Sequence, residues 1–235
     1  MDIRIDLEAR AELIRRIQER EFSERTGIHM SDLNYCLNKQ MLRRMYPVED
    51  PAKVEQDLLL FSIGWSTQRW ITGKDEDEEP ITVDGITVTL DSLLYGKPWE
   101  LKATYQSSNK PIEENTHWIR QIMAQAHVKG QTQVYLSRFE LLGDWGSVYP
   151  RGKTKQEKDE CRKASKRPTL NVYRITFSAE ELAQNWEWFK GRREQFAVLL
   201  ETQECLPRIV ALAPNGAFEC AYCYYNGRNC FEKEG

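Results

Sequence analysis

The sequence predicts one α/β domain that has a helical amino-terminal flank and a cysteine-rich carboxy-terminal tail. Apolar residues follow a helical period up to about residue 73 and a period of two from Ile81 onward. Asp84-Gly85 separates two short β-branched runs, which is a strong hairpin signal. Strand and helix patterns alternate after this hairpin. We therefore expect a single domain over 1–235, divided into a helical flank (1–75), a core (80–200) and a cysteine-rich tail (205–235).

Three helices are predicted in the flank. The first lies near the amino terminus, where apolar residues recur at helical spacing. The second begins at Ser31, a favourable N-cap, and continues through Cys36. The third begins at Asp50-Pro51, because a polar cap followed by proline is typical of a helix start, and it ends at Gly73.

The core combines strands and helices. Residues 99–104 alternate strictly, which places Glu100, Lys102 and Thr104 on one face of a strand. A helix is expected over 114–129, strands at 133–142 and 169–177, and a last helix from a capping box at Ser178.

The composition excludes several classes of protein. With 40% hydrophobic residues and a net charge of −3, the chain can bury a core and is neither disordered nor uniformly basic. No apolar run approaches the roughly 20 residues that a membrane-spanning helix needs, and the first residues lack a signal-peptide core. We therefore expect a soluble, cytoplasmic protein without a membrane partner.

Asp91 and the strand residues Glu100 and Lys102 form the arrangement that a metal-dependent nuclease requires. Two carboxylates from neighbouring strands make a hard oxygen site for Mg²⁺ or Mn²⁺, which polarises a phosphate and activates water. The lysine ammonium lies on the same face, where it can orient that water and offset phosphate charge. Taken alone, such alternating charges also occur on strands merely for cross-strand pairing. Gln121, on the following helix, adds to the nuclease interpretation.

The six cysteines are unevenly distributed. Cys220-x2-Cys223-x6-Cys230 crowds three thiols into the tail, and in a reducing compartment such clusters bind metals rather than form disulfides. One ligand is missing from this set. Cys36 would supply it by joining the two ends of the chain, whereas Cys205 would build a local zinc site.

Together these motifs resemble the CRISPR-associated, RecB-like exonucleases of the PD-(D/E)XK superfamily, over residues 31–230. The co-occurrence of both motif sets in this order is more specific than either set alone. The motifs are Ser31-Asp32-Leu33-x-x-Cys36, Asp91, Glu100-Leu101-Lys102, Gln121 and Cys220-x2-Cys223-x6-Cys230.

The resemblance implies a restriction-endonuclease-like fold, a mixed central sheet flanked by helices, whose two ends are joined by a metal cluster. It implies Mg²⁺ or Mn²⁺ at Asp91, Glu100 and the Leu101 carbonyl, with Gln68 as a further candidate ligand. Lys102 and Gln121 complete the implied catalytic set. A 4Fe–4S cluster is implied at the family's four cysteine positions, which are Cys36, Cys220, Cys223 and Cys230 in this sequence.

The implied substrate is single-stranded DNA or a frayed DNA end. Some family members trim spacer DNA with an integrase complex in CRISPR adaptation, and related nucleases serve viral recombination or repair. A basic segment is expected to contact the DNA backbone. Its candidate residues are Lys153, Lys155, Arg162, Lys163, Lys166 and Arg167.

Two positions depart from the family pattern. Gln68 stands where the family usually has histidine, and Gln125 stands where the Gln-x-x-x-Tyr motif has tyrosine. These departures keep open a non-catalytic protein that binds DNA ends for a partner complex. A zinc-ribbon protein that uses Cys205 and the three tail cysteines to bind nucleic acid is the second alternative.

Overall fold

The computed structural model describes residues 6–21, 26–73, 78–104, 111–141, 154–157, 160, 168–214 and 216–230 of the chain. The elements in chain order are α1 (Leu7–Glu21), α2 (Met30–Leu33), α3 (Leu37–Met45), α4 (Pro51–Thr72), β1 (Ile81–Val83), β2 (Ile86–Val88), β3 (Ser92–Leu94), β4 (Lys97–Thr104), a 3-10 turn (Ile112–Glu114), α5 (Thr116–Val128), β5 (Gln133–Glu140), β6 (Thr169–Thr176), α6 (Ala179–Thr202), α7 (Arg208–Ala211) and α8 (Phe218–Ala221).

The central sheet is mixed and has the strand order β3-β4-β5-β6. The β3–β4 and β5–β6 pairs are antiparallel, and the β4–β5 pair is parallel. A parallel pair needs a crossover connection, and α5 supplies it between β4 and β5. Both α4 and α5 contact β4. This mixed sheet flanked by helices confirms the predicted fold class and is consistent with a restriction-endonuclease-like fold.

The predicted hairpin is present but lies outside the central sheet. β1 and β2 form their own two-stranded antiparallel sheet. Asp84 and Gly85 both have positive φ angles, 49° and 72°, as the expected tight hairpin turn requires. β3, which follows Asp91 and pairs with the start of β4, was not predicted as a separate strand.

Two hydrophobic clusters hold the layers together. The larger one joins α2 and α3 to the β1–β2 hairpin, α6 and the tail, and it includes the fully buried Leu37, Ile86, Phe189 and Tyr225. The smaller one packs α5 and α6 against β5 through residues such as Leu136. Each large side chain buried in this way contributes roughly 1.5–3 kcal/mol.

The third and last predicted helices begin at their predicted caps. Asp50 accepts a hydrogen bond from the Ala52 N–H at 3.0 Å, and Ser178 and Glu181 form the reciprocal capping box. No helix in the described part of the chain combines the length and apolar character needed to cross a bilayer.

The prediction of one continuous second helix was wrong. α2 ends at Leu33 and α3 begins at Leu37, so Cys36 is the N-cap of α3 rather than a residue within a helix. Ser31 lies in the first turn of α2, which His29 precedes as the N-cap. Tertiary contacts stabilise this break, because Arg192 donates hydrogen bonds to the main-chain carbonyls of Leu33, at the end of α2, and of Tyr35, within the link.

Arg192, on α6, connects three parts of the chain. It is 5% exposed, and its Nε donates to the Leu33 carbonyl at 3.0 Å while one Nη donates to the Tyr35 carbonyl. The remaining bonds go to the carbonyls of Val210, Ala211 and Leu212, at 3.0, 3.1 and 3.4 Å. A guanidinium carries five N–H donors, so its full donor set is used.

Replacing Arg192 with alanine should therefore lower the free energy of unfolding strongly. The substitution leaves five main-chain carbonyls to find new donors at a buried site, and we expect a loss of about 3 kcal/mol or more. Urea denaturation followed by circular dichroism measures this loss. The matched control is Arg208→Ala, which removes an exposed arginine from α7 and should change stability by less than about 0.5 kcal/mol. Equal, small losses in both variants would contradict the role given to Arg192.

Candidate functional site

Asp91 lies just before β3, where its carboxylate reaches β4. Its Oδ2 accepts a hydrogen bond from the Leu101 main-chain N–H at 2.8 Å. In a strand, the N–H and C=O of one residue point to the same edge. The Leu101 carbonyl therefore points to the edge of β4 that Asp91 occupies, so two of the predicted oxygen ligands lie together.

Glu100 is buried beside them on β4, with an exposed fraction of 2%. Its Oε1 accepts hydrogen bonds from the Lys102 ammonium and from the Gln121 amide, and its Oε2 accepts one from Gln125 at 2.5 Å. An ionised carboxylate offers about four lone-pair positions. Three of them accept these hydrogen bonds, which leaves a position on Oε2 that a cation can use.

Lys102 follows Glu100 on the same face of β4 and is 20% exposed. Its ammonium donates to Glu100 and to the Gln121 Oε1, the latter at 2.9 Å. Burial alone would lower the pKa of Lys102, but the Glu100 and Asp91 carboxylates outweigh it and raise that pKa above its ordinary value. Lys102 is therefore positively charged at neutral pH and can act on an anion.

The hydrogen bond from Gln125 to Glu100 was not predicted from the sequence, although Gln125 was noted as the residue at the family's tyrosine position. It is fully buried, and its amide donates to Glu100 and, at 3.3 Å, to the Thr89 carbonyl. The signal was present, because Gln121 and Gln125 are four residues apart and share a helix face. The spacing does not show that this polar face of α5 packs against the sheet.

The structure thus brings together Asp91, Glu100, the Leu101 carbonyl, Lys102 and Gln121. The donor set suits Mg²⁺ or Mn²⁺, since these cations prefer carboxylate and carbonyl oxygens. Gln68 is half-buried on α4, a helix that contacts β4, and its role as a ligand stays a prediction.

The four predicted cluster cysteines line one cavity. Cys36 is buried at its wall, and the three tail thiols at 220, 223 and 230 lie around it, together with Glu219 and Lys39. The Cys36 main-chain N–H donates to the Glu219 carboxylate at 3.3 Å, which fastens the start of α3 to α8. Residues almost 200 positions apart in sequence therefore meet here.

The thiols at this cavity are not arranged to coordinate a single metal ion. Among the residues that the structure describes, no three His, Cys, Asp or Glu side chains are arranged to hold a single metal ion. The space between the cysteines has room for about one water molecule, so a larger group requires the side chains to move apart. A cluster with one iron per thiolate separates its cysteines more widely than one tetrahedral zinc ion does.

The protein environment raises the pKa of two thiols at this cavity. Burial raises the pKa of Cys36 to about 11 and that of Cys230 to about 12. Metal ligation requires thiolates, so metal binding at this cavity would release protons. Asn38, on α3, contacts the Cys230 sulfur at 3.7 Å and joins α3 to Leu206, at the start of the tail, through two hydrogen bonds of 2.9 Å each.

Cys205 lies next to this group but does not line the cavity. Its sulfur contacts the Asn229 carbonyl at 3.8 Å and interacts electrostatically with Cys230. Cys36 lines the cavity together with the three tail cysteines and Cys205 does not, and the identity of the fourth ligand stays a prediction.

The predicted basic DNA contacts fall almost entirely outside the described residues. Within the described part of the chain, Lys155 is exposed, and its role in DNA binding stays a prediction. The other candidates, Lys153, Arg162, Lys163, Lys166 and Arg167, lie in segments that the structure does not describe.

The chain is similar in fold to a solved structure. The crystal structure of SSO0001 is 13% identical, covers 95% of this chain and 96% of its own, and superposes with a TM-score of 0.57. A phage-related exonuclease from Haemophilus somnus 129PT is 9% identical, covers 77% of this chain and 97% of its own, and has a TM-score of 0.45. No protein-family model and no curated protein matches the sequence. The first likeness shows a shared fold over nearly the whole chain.

Gln125→Met should destabilise the protein while conserving most of the side-chain volume. Methionine donates no hydrogen bond, so the buried Glu100 oxygen loses a partner, and we expect a loss of about 1–3 kcal/mol. Chemical denaturation measures it. Gln184→Met on the exposed surface of α6 is the matched control and should cost less than about 0.5 kcal/mol. A Gln125→Met variant as stable as this control would show that the amide does not support Glu100.

Proposed function

We propose that this chain is a metal-dependent DNA exonuclease that acts on single strands or frayed ends. The observation that carries the proposal is the meeting of Asp91, Glu100 and Lys102 at one edge and face of β4. Two carboxylates, a main-chain carbonyl and one ammonium form the set that phosphodiester hydrolysis with Mg²⁺ or Mn²⁺ requires.

Each residue has a distinct task in this proposal. Asp91, Glu100 and the Leu101 carbonyl would hold the cation, which when bound polarises the phosphate and lowers the pKa of water. Lys102 holds its ammonium where it can orient the attacking water and offset charge on the phosphate. Gln121 fixes the side chains of Lys102 and Glu100 relative to each other, since it hydrogen-bonds to both.

The preference for DNA ends and the cellular role rest on the resemblance to the CRISPR-associated, RecB-like exonucleases. By that resemblance, the chain trims spacer DNA with an integrase complex in CRISPR adaptation, or serves viral or repair recombination. The same resemblance supports a structural 4Fe–4S cluster at Cys36, Cys220, Cys223 and Cys230. Their shared cavity supports the cluster further, because it collects these four and leaves Cys205 outside.

Native protein should cleave end-labelled single-stranded DNA in the presence of Mn²⁺, whereas Lys102→Ala should be slower by about 100-fold or more. The loss is expected because the ammonium acts on the reacting groups. Gel electrophoresis of timed reactions measures both rates, with protein purified without air. Lys190→Ala is the control, since Lys190 is paired with Glu187 at 2.6 Å on the surface of α6.

The result also separates the nuclease from a non-catalytic DNA-end binder. Normal DNA binding without cleavage by folded native protein would contradict the nuclease proposal and favour the binder. Cleavage that is equally fast in native protein and Lys102→Ala would remove Lys102 from the catalytic set. The buried position of Gln125, at the place where the family has tyrosine, is the observation that keeps the binder as a second candidate.

Protein purified without air should be brown and contain iron and sulfide, and Cys36→Ser should lose both colour and iron. Cys205→Ser is the matched control and should keep them, because Cys205 lies outside the cavity. Absorption spectroscopy and metal analysis measure the two variants. A colourless native protein that contains zinc, and loses it in Cys205→Ser, would contradict the cluster and favour the zinc-ribbon alternative.

A further inference from the structure

The Gln125 amide contacts both chain segments that supply the carboxylates of the candidate site. Its Nε2 donates to the Glu100 Oε2 at 2.5 Å and to the Thr89 main-chain carbonyl at 3.3 Å. Thr89 follows β2 and lies two residues before Asp91. These two acceptors use both N–H groups of the amide. They also identify the nitrogen, because a main-chain carbonyl can only accept a hydrogen bond.

The carbonyl oxygen of the same amide, Oε1, is buried and has no hydrogen-bond partner among the residues that the structure describes. Buried polar atoms are normally paired, because a buried acceptor without a donor costs free energy. The neighbours along α5, Ile122, Ala124 and Ala126, are fully buried apolar side chains that offer no donor. The donor for this oxygen is therefore expected from outside the described chain, and water is the simplest such group.

This oxygen lies next to the carboxylate to which the proposed function assigns the cation. An amide oxygen is about 2.2 Å from its own nitrogen. Since the Gln125 nitrogen is 2.5 Å from the Glu100 Oε2, the Gln125 oxygen lies within about 5 Å of that carboxylate oxygen. Mg²⁺ gives up its waters reluctantly, so a cation held by Glu100 keeps waters that can donate hydrogen bonds to nearby acceptors.

We propose that the Gln125 carbonyl oxygen belongs to the cation site, where it accepts a hydrogen bond from a water that the cation carries. This inference rests on the metal site of the proposed function. Gln125 is then a positioning residue with two tasks, since its nitrogen holds Glu100 and its oxygen holds the water. Groups that orient the ligands of a metal in this way contribute to its affinity and geometry.

Gln121 provides the comparison that tests this role, because it bonds to the same carboxylate through an amide whose oxygen is already used. Its Nε2 donates to the Glu100 Oε1, and its Oε1 accepts a hydrogen bond from the Lys102 ammonium at 2.9 Å. Gln121→Met and Gln125→Met each remove one donor from Glu100 and conserve most of the side-chain volume. Only Gln125→Met also removes the oxygen that the proposal assigns to the cation site.

The first measurement is Mn²⁺ binding in the absence of DNA, followed through the electron paramagnetic resonance signal of free Mn²⁺. Native protein, Gln125→Met and Gln121→Met are compared, and circular dichroism shows that each is folded. We expect Gln125→Met to bind Mn²⁺ about 10- to 100-fold more weakly than native protein. Gln121→Met should bind it with an affinity close to the native value.

The second measurement needs no variant and therefore does not depend on the folding of Gln125→Met. A crystal structure of native protein grown with Mn²⁺ locates the cation by its anomalous scattering. We expect a water that is bound to Mn²⁺ and lies at hydrogen-bond distance from the Gln125 Oε1. An Oε1 that is paired with a protein donor, or with a water that does not contact Mn²⁺, would overturn the inference.

The binding results separate the inference from the proposed function. Native Mn²⁺ affinity in folded Gln125→Met would overturn the role of the oxygen. Equal weakening in both methionine variants would also overturn it, since the lost donor to Glu100 then explains the effect. Native protein that binds Mn²⁺ in the expected pattern but cleaves no DNA would overturn the nuclease proposal and leave the inference standing.

Discussion

The packing of α2, α6 and α7 against one another depends on one buried positive charge, that of Arg192. Burial lowers the pKa of Arg192 only to about 10, so the side chain stays charged at neutral pH and must be solvated by the protein. It is solvated by five main-chain carbonyls that belong to α2, to the link before Cys36, to α7 and to Leu212, the residue after α7. Those carbonyls come together only when residues 159 positions apart in sequence are in place. Two residues of the cysteine-cavity wall, Ala211 and Leu212, are therefore held by the same side chain that stabilises the break between α2 and α3.

How much of this could be read from the sequence depends on whether the signal is local. The hairpin, the caps at Asp50 and Ser178 and the alternation in β4 were predicted correctly, because turn chemistry and side-chain period are set by neighbouring residues. The break before Cys36 could not be predicted, since the arginine that stabilises it lies on α6. A local sequence pattern does not show that a hydrogen-bond donor from the other half of the chain contacts the segment.

The same distinction applies to the candidate site. Asp91, Glu100 and Lys102 could be selected because carboxylate and lysine chemistry on one strand face has a recognisable spacing. The sequence could not show that Gln125 faces inward, since a row of polar residues on a helix is normally solvated. The decisive information is the packing of α5 on the sheet, which buries Gln125 completely and presents its amide to Glu100.

The choice of donors around Glu100 has an electrostatic consequence for function. A buried carboxylate needs hydrogen bonds, and an arginine could supply them, but it would also cancel the charge that attracts a cation. Gln121 and Gln125 supply their donors as neutral amides and leave that charge intact. Asp91, Glu100 and Lys102 then carry a combined charge of about −1, so a bound divalent cation makes the site about +1. A site of that sign attracts a phosphodiester, whereas a second cationic side chain at Glu100 would oppose the binding of the metal on which the proposed hydrolysis depends.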